Sequence, residues 1–186
     1  SFLVFIIILG LESARQAVAS LKKGRRIEEL EQFALNDSMT GFYNRNAYDY
    51  FIYNEKNIKN YMVVTFDLNN LKMCNDNYGH SSGDAYIIHS AHIIETTFDR
   101  FGKCYRIGGD EFCCLIPDAA EFQIERFIQK MQQDIAILNN KNIIPTEVGI
   151  ACGYALATPD DADIEKVRER ADEMMYHNKK VLKGLI

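Results

Sequence analysis

The alternation of apolar and polar positions divides the chain into segments of two periods. From Glu12 to Asn36 apolar residues recur at Val18, Leu21, Ile27, Leu30 and Phe33/Ala34, with Gly24 interrupting them. The spacing predicts a helix, either amphipathic and packed on its own domain or one strand of a stalk joining two copies. A polar stretch, "NDSMTGFYNR", ends it, and residues 44–57 then read as a helix with Ala47, Tyr48, Phe51 and Ile52 on one side. "YMVVTFDL" (61–68) is a β-branched and aromatic run of strand length, read as a buried central strand. A short helix around 70–77, the turn "NYGHSSGD" and a helix from about Gly83 to Phe98 follow. Residues 104–116 read as β-structure broken at "GGDE", residues 119–138 as an amphipathic helix and 148–157 as another strand. The acidic turn "TPDDAD" supplies caps and early negative charge for a last helix over 163–182.

Strands and helices alternate, yet two adjacent strands flank a tight hairpin, which excludes a purely parallel doubly wound sheet. The fold class expected is α/β in the α+β sense: a mixed central sheet flanked by helices, ferredoxin-like or cyclase-like, with an N-terminal helical extension. The expected organisation is an apolar segment over 1–11, a signalling or dimerisation helix over 12–36 and one globular domain over 37–186. The apolar and charged fractions, 47% and 25%, are those of an ordinary globular protein. A net charge of −5 argues against a polymeric nucleic-acid partner but not against a nucleotide whose phosphates a metal ion neutralises. The five cysteines show no CxxC spacing; the four in apolar strand-like runs read as small buried hydrophobes, and free thiols in a reducing, cytosolic compartment are the simplest fit. "SFLVFIIILGL" is too short by itself to span a bilayer, which takes roughly 20 apolar residues. It reads as the tail of a membrane helix, a segment docking on a partner, or an artefact. The first is favoured because the basic cluster "KKGRR" follows, as on a cytoplasmic face.

The chemistry concentrates in "RIGGDEF" (106–112). Glycine inside a strand-like run marks a sharp turn or a close approach by a ligand, so Asp110 and Glu111 sit either on a solvated tip or against a bound group. Asp67, at the end of the first strong strand, either caps the next helix or meets that pair at one sheet edge. Converging carboxylates repel, and such a cluster persists with a cation between them. Mg²⁺ takes hard oxygens of this kind, commonly one or two carboxylates plus phosphate oxygens, and would support phosphoryl or nucleotidyl transfer. His89 and His92 lie three apart on a helix without companions at zinc-ligand spacing, and read as structural. The Phe and Met positions of 122–131 read as core.

These motifs resemble the GGDEF family, the diguanylate cyclases that join two GTP into cyclic di-GMP. "RIGGDEF" matches the family signature; "DSMTGFYNR" (37–45) resembles its opening motif D-x-L-T-G-L-x-N-R. "FDLNNLKMCNDNYGHSSGD" (66–84) resembles its D-x-D-x-F-K-x-x-N-D-x-x-G-H-x-x-G-D block, and "ADEMMYHNKK" (171–180) its closing helix. The resemblance implies a metal set of Asp67, the Leu68 carbonyl and Asp110, with Mg²⁺ as cofactor and Mn²⁺ as the alternative ion. It implies Asp110 as the group that helps deprotonate the attacking 3′-hydroxyl, with Glu111 ranked second. Asn75 and Asp84 match the pair that reads guanine; Lys72, Lys179 and Lys183 match the cations that hold the triphosphate. Gly108 and Gly109 would let the hairpin backbone approach the nucleotide. A homodimer is implied, each domain holding one GTP and serving as the output of an upstream sensor; read as the tail of a membrane helix, the apolar segment would place the domain at the inner face of the membrane.

Departures accompany the match. Asn69 stands for a frequent second Asp, Leu71 for the usual Phe and Lys183 for the usual Arg, and the closing motif lacks G-R-N. The family's product-inhibition motif R-x-x-D would place Arg at 99 and Asp at 102, where this chain has Asp99 and Gly102. The rival reading is a catalytically silent GGDEF-like domain that binds GTP and regulates a partner. A membrane-signalling adaptor would explain the N-terminus and none of the motifs.

Overall fold

A computed structural model of the chain describes residues 15, 16, 18, 22, 34–55, 57–119 and 123–182, the side chain of residue 182 excepted. By its contacts the chain divides into two units, Ser1–Leu35 and Asn36–Ile186. The apolar segment expected over 1–11, and most of the helix expected over 12–36, lie outside the described residues. No described helix is long and apolar enough to cross a membrane.

In the second unit the organising strand is β1 (Met62–Asn69), whose eight residues are all buried. Side chains alternate between the faces of a strand, and β1 is apolar on one of them. Met62, Val64, Phe66 and Leu68 join the main core. That core is completed by Tyr86, Ala91, Ile94 and Phe98 of a long helix and by Ile124, Met131 and Leu138 of a later one. The other face of β1 lies against the last helix of the chain.

The elements run in the order α1 (Arg45–Asn54), β1, α2 (Leu71–Tyr78), α3 (His80–Phe98), β2 (Lys103–Arg106), β3 (Glu111–Ile116), α4 (Ile124–Asn140), β4 (Gly149–Leu156) and α5 (Ile164–Leu182). The strands form one sheet in the order β2-β3-β1-β4. The crossover through α2 and α3 returns the chain as β2 one strand away from β1. The hairpin then folds β3 back into the gap, so every ladder is antiparallel. This is the split β-α-β arrangement of ferredoxin-like sheets. The α+β class agrees with expectation, while the parallel part of the mixed sheet reduces to an isolated bridge between Tyr43 and Tyr105.

The helix expected over 44–57 ends at Asn54, where Glu55 turns to an extended conformation, and two further helix boundaries differ from expectation for local reasons. The helix expected near Gly83 begins at His80, because Gly79 ends α2 and starts α3 in one residue, at φ +83°, a conformation glycine adopts without a Cβ penalty. The helix expected from 119 begins at Ile124. Pro117 cannot donate to a ladder or a helix turn, Asp118 takes φ 49°, and the Ala119 amide donates instead to the Asn60 carbonyl at 2.7 Å.

The expectation of five free thiols fails at one pair. Cys104 and Cys114 lie opposite each other in the β2–β3 ladder, their Cα atoms 4.3 Å apart, and form a disulfide. Directly opposed residues in an antiparallel pair come this close at non-hydrogen-bonded positions. Cys113 and Cys152, in strand-like runs, are free and buried as expected, and Cys74 is free and buried as well.

Candidate active site

The signature turn is built by backbone pairing. The Ile107 and Gly108 amides both donate to the Glu111 carbonyl, at 2.9 and 3.3 Å, and the Leu68 amide donates to the Asp110 carbonyl at 3.0 Å. In the β1–β3 register Asp67 lies directly opposite Glu111. Asp67 and the signature turn therefore lie together at one end of the two central strands, with the Asp110 carbonyl pinned to the Leu68 amide. Glu111, ranked second from the sequence, is the acid that faces Asp67 across the ladder. Phe112 returns to the core, packed edge-on against Phe42 at 5.8 Å.

A groove of about 450 Å³ opens here, lined in part by Leu68, Asn70, Leu71, Lys72, Asp110 and Lys179. A side chain on Gly109 would point into open space, and neither Gly108 nor Gly109 takes a positive φ. Nothing inside the protein demands glycine at 109, so the space in front of it is available to a ligand. A Cβ on Gly108 would crowd the Glu111 side chain, 3.0 Å from Oε2.

Asp67 is buried, and its partner is Lys179, whose Nζ donates to Oδ1 at 2.5 Å across 112 residues of sequence. Helix α5 delivers that lysine because it lies unusually close to β4. A Cβ on Gly153 would land on the backbone of Ala171 and Met175, and Asn178 donates to the Cys152 carbonyl at 2.8 Å. Lys183 lies outside the described residues.

Helices α2 and α3 carry the expected guanine-reading pair. Asn75, on α2, packs its amide where a Cβ on Gly83 would collide with it. Asp84, the residue after Gly83 on α3, is exposed. Lys72, a turn before Asn75, is exposed on the same helix.

Three supporting residues carry no role in the sequence reading. Arg106 donates from Nη1 to both Asp37 carboxylate oxygens, at 3.1 and 3.2 Å, and from Nη2 to the Gly109 carbonyl at 2.9 Å. Asp37 also accepts from the Thr40 amide and hydroxyl, at 2.9 and 2.7 Å. Partial burial pushes the Asp37 carboxyl up, but the hydrogen bonds from Thr40 and Arg106 outweigh it and hold the group below 3.8. The signature turn is thus tied to the opening motif. Tyr86 ties the ends of β1 and β4: its hydroxyl donates to the Asn69 carbonyl at 2.6 Å and accepts from the Gly149 amide at 2.7 Å. Burial pushes this phenol up to about 12, so it stays protonated as a donor. Asp37 and Arg106 stand inside quoted motifs, which was the one signal available for them. Tyr86 had none.

The donor chemistry suits a hard divalent cation. Among the described residues no three His, Cys, Asp or Glu side chains converge into a set that holds a metal by themselves. Asp67, Asp110 and a strand-end carbonyl are hard oxygen donors, of the kind a divalent cation takes when phosphate oxygens complete its shell. His89 and His92 line a different groove, between α3 and α4.

A split β-α-β sheet with acids at the end of its central strand and at the tip of its hairpin defines a cyclase-type α+β domain. Residues 34–183 match the family model described as "Diguanylate cyclase, GGDEF domain", and the chain belongs to that family. It is similar to diguanylate cyclase DgcN of Escherichia coli, 31% identical over 157 residues, covering 81% of this chain and 38% of that protein. It is also similar to diguanylate cyclase DgcS of Shewanella oneidensis, 26% identical over 168 residues, covering 86% and 54%. The chain therefore spans about half or less of these relatives' length. Among solved structures, the coiled coil and GGDEF domain of DgcB from Caulobacter crescentus, in complex with c-di-GMP, superposes with a TM-score of 0.75 at 23% identity. That superposition covers 90% of this chain and 94% of the other, and establishes the fold.

Proposed function

We propose that this domain is a Mg²⁺-dependent diguanylate cyclase that condenses two GTP into cyclic di-GMP and two pyrophosphates where two copies face each other. The observation that carries the reading is a groove at the end of β1 and β3 that gathers Leu68, Lys72, Asp110 and Lys179 beside the Asp67–Glu111 pair.

Asp67, the Leu68 carbonyl and Asp110 would hold the metal. When bound, Mg²⁺ polarises the α-phosphate and favours ionisation of the attacking hydroxyl. Asp110 takes the 3′-hydroxyl proton, with Glu111 as the second acid in reach. The O3′–Pα bond forms as the bond from Pα to the bridging oxygen breaks, and pyrophosphate leaves with that electron pair. Each half-reaction repeats with the partner's nucleotide, so one copy alone has no acceptor. Asn75 and Asp84 read the guanine edge; the Asp84 carboxylate accepts from the N1 and N2 donors, which adenine does not offer in that pattern. Lys72, Lys179 and Lys183 neutralise the triphosphate, and Gly108 and Gly109 leave room for it.

The domain is further proposed to escape product inhibition through the 99–102 site. Asp99 is acidic where an arginine would be needed, and a Cβ on Gly102 would fall on the Leu115 carbonyl. In the longer protein the domain would serve as the output of an upstream sensor, on the cytoplasmic side of a membrane, with the 12–36 helix setting the dimer.

The test is incubation with GTP and Mg²⁺ at several protein concentrations, with chromatographic detection of cyclic di-GMP and Asp110→Ala alongside. Product that rises faster than linearly with protein and vanishes in the variant is the expected result. GTP binding without product at any concentration would establish the silent GTP-binding domain instead.

A further inference from the structure

The contact between Lys179 and Asp67 does more than place a lysine near phosphates. Asp67 is a buried carboxylate facing another acid, Glu111, across the ladder. Like charges directly opposite on neighbouring strands repel, and a buried charge is costly unless paired. The cation that meets this need is supplied by the chain itself. The Lys179 ammonium sits 2.5 Å from Oδ1, with side-chain exposures of 23% for the lysine and 12% for the aspartate.

An ammonium at that distance and a divalent ion at about 2.0–2.1 Å claim the same oxygen. Lys179 also lines the open groove with Lys72 and Asp110, so its ammonium has a second place to go. Its backbone is held, since the neighbouring Asn178 is bonded to β4, but a four-carbon stem with a point charge reorients readily.

We propose that Lys179 is the resident counter-ion of the metal position: it neutralises Asp67 in the nucleotide-free protein and leaves only when triphosphate oxygens draw it into the groove. Divalent cations consequently bind weakly before the nucleotide and tightly with it. The inference rests on Asp67 being a metal ligand.

The experiment is Mn²⁺ binding followed by the electron paramagnetic resonance signal of the free ion, on the whole chain, without nucleotide and with a non-hydrolysable α,β-methylene GTP analogue. The proteins are wild type, Lys179→Met, Lys72→Met and Asp67→Asn. Without nucleotide, Lys179→Met is expected to bind Mn²⁺ roughly tenfold to a hundredfold tighter than wild type, the equivalent of one charge-assisted hydrogen bond. Lys72→Met removes the same charge from the groove without touching Asp67 and should change it far less. The analogue should then tighten Mn²⁺ binding more in wild type than in Lys179→Met, because only the former still has a lysine to displace. Unchanged Mn²⁺ affinity in Lys179→Met, with binding lost in Asp67→Asn, overturns the counter-ion and leaves the metal site standing. Equal gains in Lys179→Met and Lys72→Met overturn it too, since a general field would then explain both. If Asp67→Asn leaves Mn²⁺ binding intact in every state, Asp67 is not a ligand and both readings fall.

Discussion

Cutting Arg106 from the signature turn is the most direct test of how the site is held. Its guanidinium spans two elements distant in sequence, with Nη1 on the Asp37 carboxylate and Nη2 on the Gly109 carbonyl. Both side chains are largely shielded, 12% and 23% exposed. Arg106→Met removes all three contacts and leaves Asp37 with Thr40 alone. Hydrogen bonds to charged groups are each worth about 1.5–3 kcal/mol and surface screening reduces that, so a loss of about 2–4 kcal/mol is expected. For a domain of this size that lowers the unfolding temperature by roughly 5–15 °C. Arg106→Lys keeps the charge but loses the fork, since one ammonium cannot serve both acceptors in the same geometry, and should fall between. The sign of the pH dependence follows from Asp37, whose carboxyl is held below 3.8. Its stabilisation is present above that value and is lost as pH falls through the depressed one. Thermal unfolding by circular dichroism should therefore show a gap between wild type and Arg106→Met that narrows in acid. Hydrogen exchange at 107–111 should speed up in the variant at neutral pH. An unchanged unfolding temperature, or a gap of constant size down through the acid range, would refute the claim that this ion pair anchors the turn.

Four further outcomes follow from the same geometry. Gly153→Ala drives a methyl into the α5 backbone and should destabilise by about 1–3 kcal/mol or more in a urea titration, weakening GTP binding as α5 carries Lys179 outward. Tyr86→Phe leaves the Gly149 amide without its acceptor and should cost about 1–3 kcal/mol, read in the same titration. Asp84→Asn should lower GTP affinity by calorimetry roughly tenfold or more, the loss of a charged acceptor for two guanine donors, while ATP binding stays weak. The double change Asp99→Arg with Gly102→Asp should not confer inhibition by added cyclic di-GMP, and should lower stability through the collision at the Leu115 carbonyl.

Much of the fold was legible in the sequence because it depends on local patterns. The β1 run is continuous and β-branched, and it becomes a strand buried throughout. The GGDE break predicted a hairpin, and the hairpin forms between Arg106 and Glu111. Local patterns fail where a single residue's backbone decides. Gly79 fuses two helices through one positive φ, and the Pro117–Asp118 turn delays α4. The parallel component expected of the sheet shrinks to one isolated bridge because strand order is decided by the crossover and the hairpin together, and neither alone specifies it. Cys104 and Cys114 became partners for a related reason. A hairpin's register depends on how its turn closes, and a slip of one residue would have sent the two side chains to opposite faces.

The site divides along the same line. Residue types and spacing pointed to Asp67 and the Asp110–Glu111 pair, and the family resemblance to Asn75 and Asp84; in the fold Asp67 lies opposite Glu111, and Asn75 packs against Gly83, the residue before Asp84. What spacing could not carry is the pairing between distant segments. Asp67 faces Glu111 because of a register set by β1 and β3 as whole strands. Lys179 reaches Asp67 because Gly153 lets α5 lie against β4. A lysine that matches a phosphate-binding position is legible as a cation; that it pairs with a buried carboxylate 112 residues away is a property of the fold. The same pressure acts at Arg106, which neutralises Asp37 while bonding the Gly109 carbonyl. In both cases a basic side chain joins an acid on one segment to the machinery on another. Substitutions there should thus alter both stability and ligand binding, whereas Asp84, exposed and bonded to nothing in the protein's own core, should alter binding alone.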